Sequence, residues 1–376
     1  MFSSKQALSE KKKELYSKTK EKMESIKYKV ESEFNTSNML FVSDRLVNDS
    51  YYKGPITKPL GIEQVKNLDY DGIMDSLISS CLSFDTSLIN ERKKEELRYL
   101  SLSQDPMKLD YSLENKKFVF EHNAEMKPIG ISGTIKEIVI EDNIKIPGPV
   151  DKLINDEVRA NYALNQLSKN GFEVEYLSNV LSSGFLGIDK KLVPTRWGIT
   201  ATDDTIGKEN IKEIREFPEL DEIKMFTNEF LHNIFFVILL PGKWEYEQFE
   251  LWESETGFDF NQEYEPFFGR TNYAKDQGGG YYAARIVVTE YLKSVKKQAR
   301  VLVIRYIKKE YFFPVGVWQV RENVRNSFKN SLKVGNISEA KQEITKSLQV
   351  DISDVYKCSH LLIQRRIGDT LSSLKA

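Results

Sequence analysis

Apolar residues recur along this chain with two periods, and the changes from one to the other lay out its elements. Between residues 4 and 33, Leu15, Met23, Ile26 and Val30 return at helical spacing, which predicts a long amphipathic helix. Alternation of β-branched and aromatic residues with polar ones predicts strands over Lys117–Glu121 and Thr134–Ile140. Pro147-Gly148-Pro149 marks a boundary. Beyond it, Leu153, Val158, Tyr162, Leu164 and Leu167 predict one helix over Val150–Ser168 with Gly171 as its stop, then a shorter helix over Tyr176–Ser182. A helix is also expected through Ile73–Cys81. The most apolar run, Phe226–Leu240, predicts a strand cut off by Pro241-Gly242, with His232 as a core histidine inside it. Val301–Ile307 and Tyr311–Val317 read as a hairpin around Lys308–Glu310. From Gly280 to Ala299 a helix is expected to pack Ala284, Val288, Tyr291, Leu292 and Val295 on a sheet. Ser338–Leu348 and Ser353–Ile363 read as a helix pair.

This succession predicts an α+β or α/β protein: a mixed sheet flanked by helices in a central core, with a long N-terminal helix and a helical C-terminus. The expected divisions are 1–35, 36–145, 146–335 and 336–376. A length of 376 residues agrees with two domains, or one large core with attachments. Hydrophobic content of 40% supplies a core, and 29% charged residues keep the outside wet. The formal net charge of −2 excludes a protein-wide positive field, so contact with nucleic acid has to come from local clusters. The N-terminal stretch sets nine lysines against six glutamates, which favours a solvated or partner-packed helix over a nucleic-acid arm. Cys81 and Cys358 lie far apart, so neither a disulfide scaffold nor a cysteine-rich zinc site can be written, and a cytoplasmic location is expected. The longest apolar run, Ile234–Leu240, falls far short of the roughly 20 residues that span a bilayer, so no membrane association is expected.

Candidate chemistry concentrates in three runs. In Phe268–Arg285, Gly278, Gly279 and Gly280 lead into a helix start. Glycines let the backbone approach a ligand, and the first helical N–H groups point at it with the positive end of the dipole. Arg270, Lys275 and Arg285 can add charge, Thr271 a hydroxyl, and Tyr273, Tyr281 and Tyr282 faces for stacking on bases. The alternative is a tight turn with core tyrosines. In Val193–Lys208, Arg196, Trp197 and Lys208 accompany Asp203 and Asp204. The two carboxylates can hold Mg²⁺ if a turn brings them together, and capping of a helix over Glu209–Phe217 is the favoured alternative. In Val315–Arg325, Arg321 and Arg325 stand four residues apart on one helix face after a strand, spaced to grip phosphates or to form surface ion pairs. Between Trp244 and Phe268 eight acidic residues occur with no lysine or arginine. They read as a loop that repels nucleic acid and flanks or covers the basic surface. No HExxH, GxSxG or Walker lysine is present, which argues against the corresponding enzyme classes.

Taken together, VPTRWGITATDDTIGK, GRTNYAKDQGGGYYAAR and VGVWQVRENVR, with LSSGFLGIDKKLVPTRW and QARVLVIR, resemble the archaeal Nre family of DNA repair proteins. The resemblance is strong over 146–330 and weak over 34–145. It implies a role in the DNA damage response and docking on the replication sliding clamp, PCNA, through a C-terminal peptide. Gln364, Ile367 and Leu371 match such a clamp-binding box, whereas Thr370 stands where the family usually has an aromatic; an amphipathic helix is the alternative reading of this segment. Many family members begin with a four-cysteine zinc finger. This chain has no cysteine before Cys81, so no zinc is expected. Two functions compete on this reading: a repair factor that binds DNA or nucleotide phosphates in a Gly/Arg-rich cleft, and an enzyme acting on nucleotides or DNA ends by metal-assisted phosphoryl transfer or as a nucleotide-dependent transferase.

Overall fold

A computed structural model describes residues 17, 35–40, 56–57, 68–73, 82–85, 88–105, 107–121, 129–311 and 314–362. The expected N-terminal helix, apart from Ser17, and the clamp-binding box lie outside the described residues, as does the expected helix over Ile73–Cys81 beyond Ile73. The fold is α+β, and the chain divides into two compact units, residues 1–206 with 313–316 and residues 207–312 with 317–376.

The first unit holds a five-stranded sheet ordered β2-β1-β4-β5-β3, built from β1 (Asn35–Leu40), β2 (Ile56–Thr57), β3 (Leu82–Asp85), β4 (Met107–Glu121) and β5 (Ile129–Ile140). Both expected strands are present and longer than their apolar alternation alone indicated. Met107, Leu109 and Tyr111 of β4 turn inward to Ile135 and Ile138 of β5 and to Leu97 and Leu100, while Lys108 is exposed. Leu97 belongs to α1 (Glu91–Tyr99), whose N-cap Asn90 accepts from Lys93 N. The helix expected over Val150–Ser168 is two helices, α2 (Gly148–Asn155) and α3 (Ala160–Lys169). Asn155 bonds its carboxamide back to Asp151 O, and Asp156 and Arg159 adopt extended backbone that a continuous helix excludes. Helix α4 (Val174–Ser182) follows, and α5 (Thr195–Ile214) runs unbroken for 20 residues.

The second unit is organised by a six-stranded mixed sheet, ordered β11-β6-β7-β10-β8-β9. Its strands are β6 (Lys224–Phe230), β7 (Asn233–Leu240), β8 (Glu245–Ser254), β9 (Gly257–Glu265), β10 (Arg300–Ile307) and β11 (Ser331–Leu332). The run expected as a single strand over Phe226–Leu240 is a hairpin. Leu231 and His232 both take positive φ, the backbone a two-residue turn requires, so His232 is a half-buried turn residue rather than a core histidine. The expected hairpin of Val301–Ile307 with Tyr311–Val317 does not form among the described residues, where β10 pairs instead with antiparallel β7 on one side and parallel β8 on the other.

Strand β7 is buried at every position because both faces of the sheet are covered. One face carries Phe236, Ile238, Leu240, Leu302 and Ile304, packed with Ala340 and Ile344 of α8 (Ile337–Leu348) and Val355 and Tyr356 of α9 (Ser353–Cys358). Against the other face lie α6 (Gly279–Ser294) and α7 (Trp318–Ser327). The acidic stretch Glu245–Glu265, expected as a loop, is the β8–β9 hairpin, and strand alternation sends its carboxylates in two directions. Glu247 points with Phe249 and Leu251 toward the C-terminal segment. There its carboxylate accepts from Ser359 Oγ, from His360 N at 2.8 Å, from Leu361 N at 3.2 Å and from Gln262 Nε2. Arg300 Nη2 adds a 2.6 Å bond to Leu361 O.

Glu247→Ala would strip the acceptor from several buried donors at once, and urea denaturation should register a loss of about 3 kcal/mol. An unchanged midpoint would show that the segment from Ser359 to Leu362 does not depend on this carboxylate.

Candidate functional site

The glycine run does open a helix, and the structure shows what the glycines accommodate. Gly278, the residue ahead of α6, has φ 54°, a conformation that favours glycine. A Cβ on Gly280 would lie 2.9 Å from Glu250 Oε1 and 3.3 Å from Arg305 Nη1. The helix start is therefore pressed onto a buried ion pair, Glu250 Oε1 to Arg305 Nη1 at 2.7 Å. Burial pushes the Glu250 carboxyl above the ordinary carboxylate range, with Arg305 opposing that shift. The Arg305 Nε donates to Asn233 Oδ1 at 2.9 Å, and Asn323 of α7 donates to Asn233 O at 2.8 Å, so the pair continues into a polar network between sheet and helix.

A second buried pair joins Arg285 of α6 to Glu265 at the end of β9; Tyr281 Oη also donates to Glu265, at 2.9 Å. Burial and the Glu265 charge hold the Tyr281 phenol well above its usual value, so it remains a donor. The Arg285 guanidinium sits 5.6 Å from the Tyr281 ring centre and 5.3 Å from that of Tyr282. Arg270 makes a third pair, Nη2 to Glu263 Oε2 at 2.8 Å, bonds Asn272 O through Nε, and lies 4.8 Å from the Tyr281 ring centre. Burial alone would lower the Arg270 pKa, but Glu263 and Tyr281 more than offset it. Beneath this turn Gln277 Nε2 donates to Gln248 O, and Tyr246 Oη donates to Gln248 Oε1.

Arg270, Tyr273, Gly278, Gly279, Gly280, Tyr281 and Arg285 thus lie together around the start of α6. Thr271 is exposed on the same turn. The arginines are each met by a carboxylate of β8 or β9, and those carboxylates, with Arg305, are the residues that sequence reasoning missed. Their signal was present: Arg305 interrupts an apolar strand, glutamates recur at every second or third position of β8, and Glu263 and Glu265 close β9. Outward of the pairs lie aromatic and cationic groups. Phe268 is 89% exposed and Tyr273 49%, the latter stacked on Tyr282 at 5.5 Å. Arg215 and Lys243 stand 5.0 and 5.8 Å from the ring centre of Phe267.

The other expected residues are distributed differently. Arg321 is buried in α7, while Arg325 pairs with Glu322 and, at 3.2 Å, with Glu290. Asp203 and Asp204 lie inside α5 rather than at a helix start, with Asp203 buried and Asp204 half-buried. The capping reading fails because the helix begins upstream, where Trp197 N and Gly198 N both bond Pro194 O. Among the described residues no group of three His, Cys, Asp or Glu side chains is placed to hold a metal ion. Lys208 is exposed, as are Arg196 and Trp197. A cavity of about 470 Å³ bordered by Lys224, Tyr291, Lys333 and Glu339 involves none of the expected site residues. No helix among the described residues is long and apolar enough to cross a membrane.

Comparison with known proteins accounts for most of the chain. Residues 63–259 match the family described as Archaeal Nre, N-terminal, and residues 265–373 match Archaeal Nre, C-terminal. A protein named DNA repair protein NreA from Haloferax volcanii is 32% identical over 277 residues, 70% of this chain and 66% of that protein. DNA repair protein NreB from Archaeoglobus fulgidus is 34% identical over 253 residues, 65% and 64% of the two chains. DNA repair protein NreA from the same organism is 34% identical over 268 residues, 69% and 68%. The chain spans just under two thirds of the length of the first two relatives. No solved structure matches.

Gly280→Ala should destabilise the second unit by about 1–3 kcal/mol in urea titration, because the methyl meets a packed ion pair. Glu250 supplies a pH test. With its folded pKa raised, its stability contribution is largest below the ordinary carboxylate range and falls as pH rises through the folded pKa. Glu250→Gln should flatten that part of the stability–pH curve, and an unaltered curve would assign the slope to other groups.

Proposed function

The chain belongs to the archaeal Nre family, and from that premise we propose that it is a DNA repair protein whose second unit contacts DNA through the turn from Pro266 to Gln277. The observation that carries the reading is the exposed pair Phe268 and Tyr273, held on a turn fixed from beneath by the Arg270–Glu263 and Arg285–Glu265 pairs. An exposed aromatic flanked by cations is how single-stranded nucleic acid is held: bases stack on the rings and phosphates meet the basic side chains. Phe268 and Tyr273 take the stacking role, and Lys243, Arg215 and Lys275 the phosphate role. Arg270 and Arg285 position the turn, because their charge is already met by carboxylates. That distribution favours binding over phosphoryl-transfer chemistry at this turn.

In the same reading Gln364, Ile367 and Leu371 dock on the sliding clamp, with Thr370 giving a weaker anchor than an aromatic. The family relatives' names supply the DNA repair context, and the exposed turn supplies the contact surface.

Fluorescence anisotropy with a labelled single strand at low salt tests the proposal. Phe268→Ala combined with Tyr273→Ala should weaken binding at least about tenfold, from a stacking contribution of roughly 1–3 kcal/mol per base. Lys243→Gln should reduce the slope of log K against log salt by about 0.7. Unchanged affinity in the double variant, with an unchanged melting curve, would remove this turn from DNA recognition.

A further inference from the structure

The first unit has a buried group of hydrogen-bond donors at the start of α5 that the reading above does not use. Helix α5 begins at Thr195, and its earliest amides to fold back, Trp197 N and Gly198 N, both go to Pro194 O at 2.8 and 2.9 Å. The amides of Thr195 and Arg196 precede the helix's own bonding and carry the positive end of its dipole. A helix start alone is common. Here three hydroxyls accompany it: Thr195 Oγ1, Ser182 Oγ and Ser183 Oγ are buried and have no hydrogen-bond partner among the described residues.

Packing sets the direction of Ser182 Oγ. A Cβ on Gly198 would collide with Ser182 Oγ, so that hydroxyl is aimed into the first turn of α5. Val193 N bonds Ser182 O at 3.0 Å, tying the segment that leads into α5 to the end of α4. Arg98 places its guanidinium behind the same corner, donating through Nε and Nη2 to Ser183 O at 3.2 and 2.9 Å. On the outer side Trp197 is 60% exposed, with the Arg196 guanidinium 5.8 Å from its ring centre. Buried hydroxyls without partners are costly, which makes a ligand that accepts from them the economical explanation of the cluster.

We propose that this corner binds a terminal phosphate, a phosphomonoester whose attached nucleoside stacks on Trp197. An anion rich in acceptors matches a set made of amide and hydroxyl donors with arginine nearby. A monoester offers three unsubstituted oxygens to such donors. An internal phosphodiester carries a chain on both sides and offers two. The ligand is therefore the phosphorylated end of a DNA strand or a free nucleoside monophosphate.

The experiment uses the full chain and one labelled single strand prepared with a 5′-phosphate, with a 3′-phosphate, or with hydroxyls at both ends. One phosphorylated strand should bind about tenfold tighter than the strand with two hydroxyl ends, the effect expected of charge-assisted hydrogen bonds. Trp197→Ala and Thr195→Val should each remove most of that preference and leave the hydroxyl-ended strand's affinity unchanged. Trp197 is exposed, so its variant keeps the test open if Thr195→Val fails to fold. Phe268→Ala should weaken all three strands alike, and its failure to do so would count against the turn reading alone. Competition by a nucleoside 5′-monophosphate would identify the free nucleotide as a ligand, and its failure to compete would identify the strand end. Equal affinity of the wild-type chain for all three strands, or a preference that survives both variants, overturns the proposal.

Discussion

Charge buried in pairs beneath α6 is the constraint on which the second unit depends. Glu250 with Arg305 and Glu265 with Arg285 lie at 9% side-chain exposure or less, where an uncompensated ion would cost several kcal/mol. Each partner therefore has to be where it is. The pairs join β8 to β10 and β9 to α6, so the position of the helix, the register of the strands and the closeness of Gly280 to the sheet are consequences of one electrostatic requirement. Tyr281 and Asn233 complete the hydrogen bonding that makes such burial tolerable.

The opposite face of the same sheet solves a different problem with the same strands. Alternation along β8 gives Tyr246, Gln248 and Glu250 to the α6 side, and Glu247, Phe249 and Leu251 to the side covered by α8 and α9. Glu247 then acts as a cap for the chain turning at Ser359, and Tyr264 of β9 stacks on His360 at 4.8 Å. An acidic hairpin thus organises both layers.

This division of labour bears on recognition. On the proposed reading, the cations left to meet DNA are those without a carboxylate of β8 or β9 beside them, which moves attention from Arg285 and Arg270 to exposed Lys243 beside Phe267. In the first unit the polar groups at the start of α5 are hydroxyls and amides rather than ion pairs, a chemistry that accepts an anion without first displacing an internal carboxylate. The two surfaces differ in kind.

By itself the sequence determined the mixed α and β character, the helix after the triple glycine, the grouping of Arg270, Tyr281 and Arg285, and the family, because local periodicity, glycine clusters and long motifs are written in consecutive residues. Three of its errors share a cause. The turn at Leu231 and His232, the strand nature of Glu245–Glu265 and the uninterrupted helix through Asp203 and Asp204 all run against composition, and each follows from what the segment packs against. Only the tertiary structure decided which carboxylate meets which arginine, since Arg305 and Glu250 are 55 positions apart and nothing local to either residue names the other. An acidic run and a basic run look like two surfaces in a sequence. Folded, they are the two halves of one buried contact, because a charge leaves water only where its opposite is waiting.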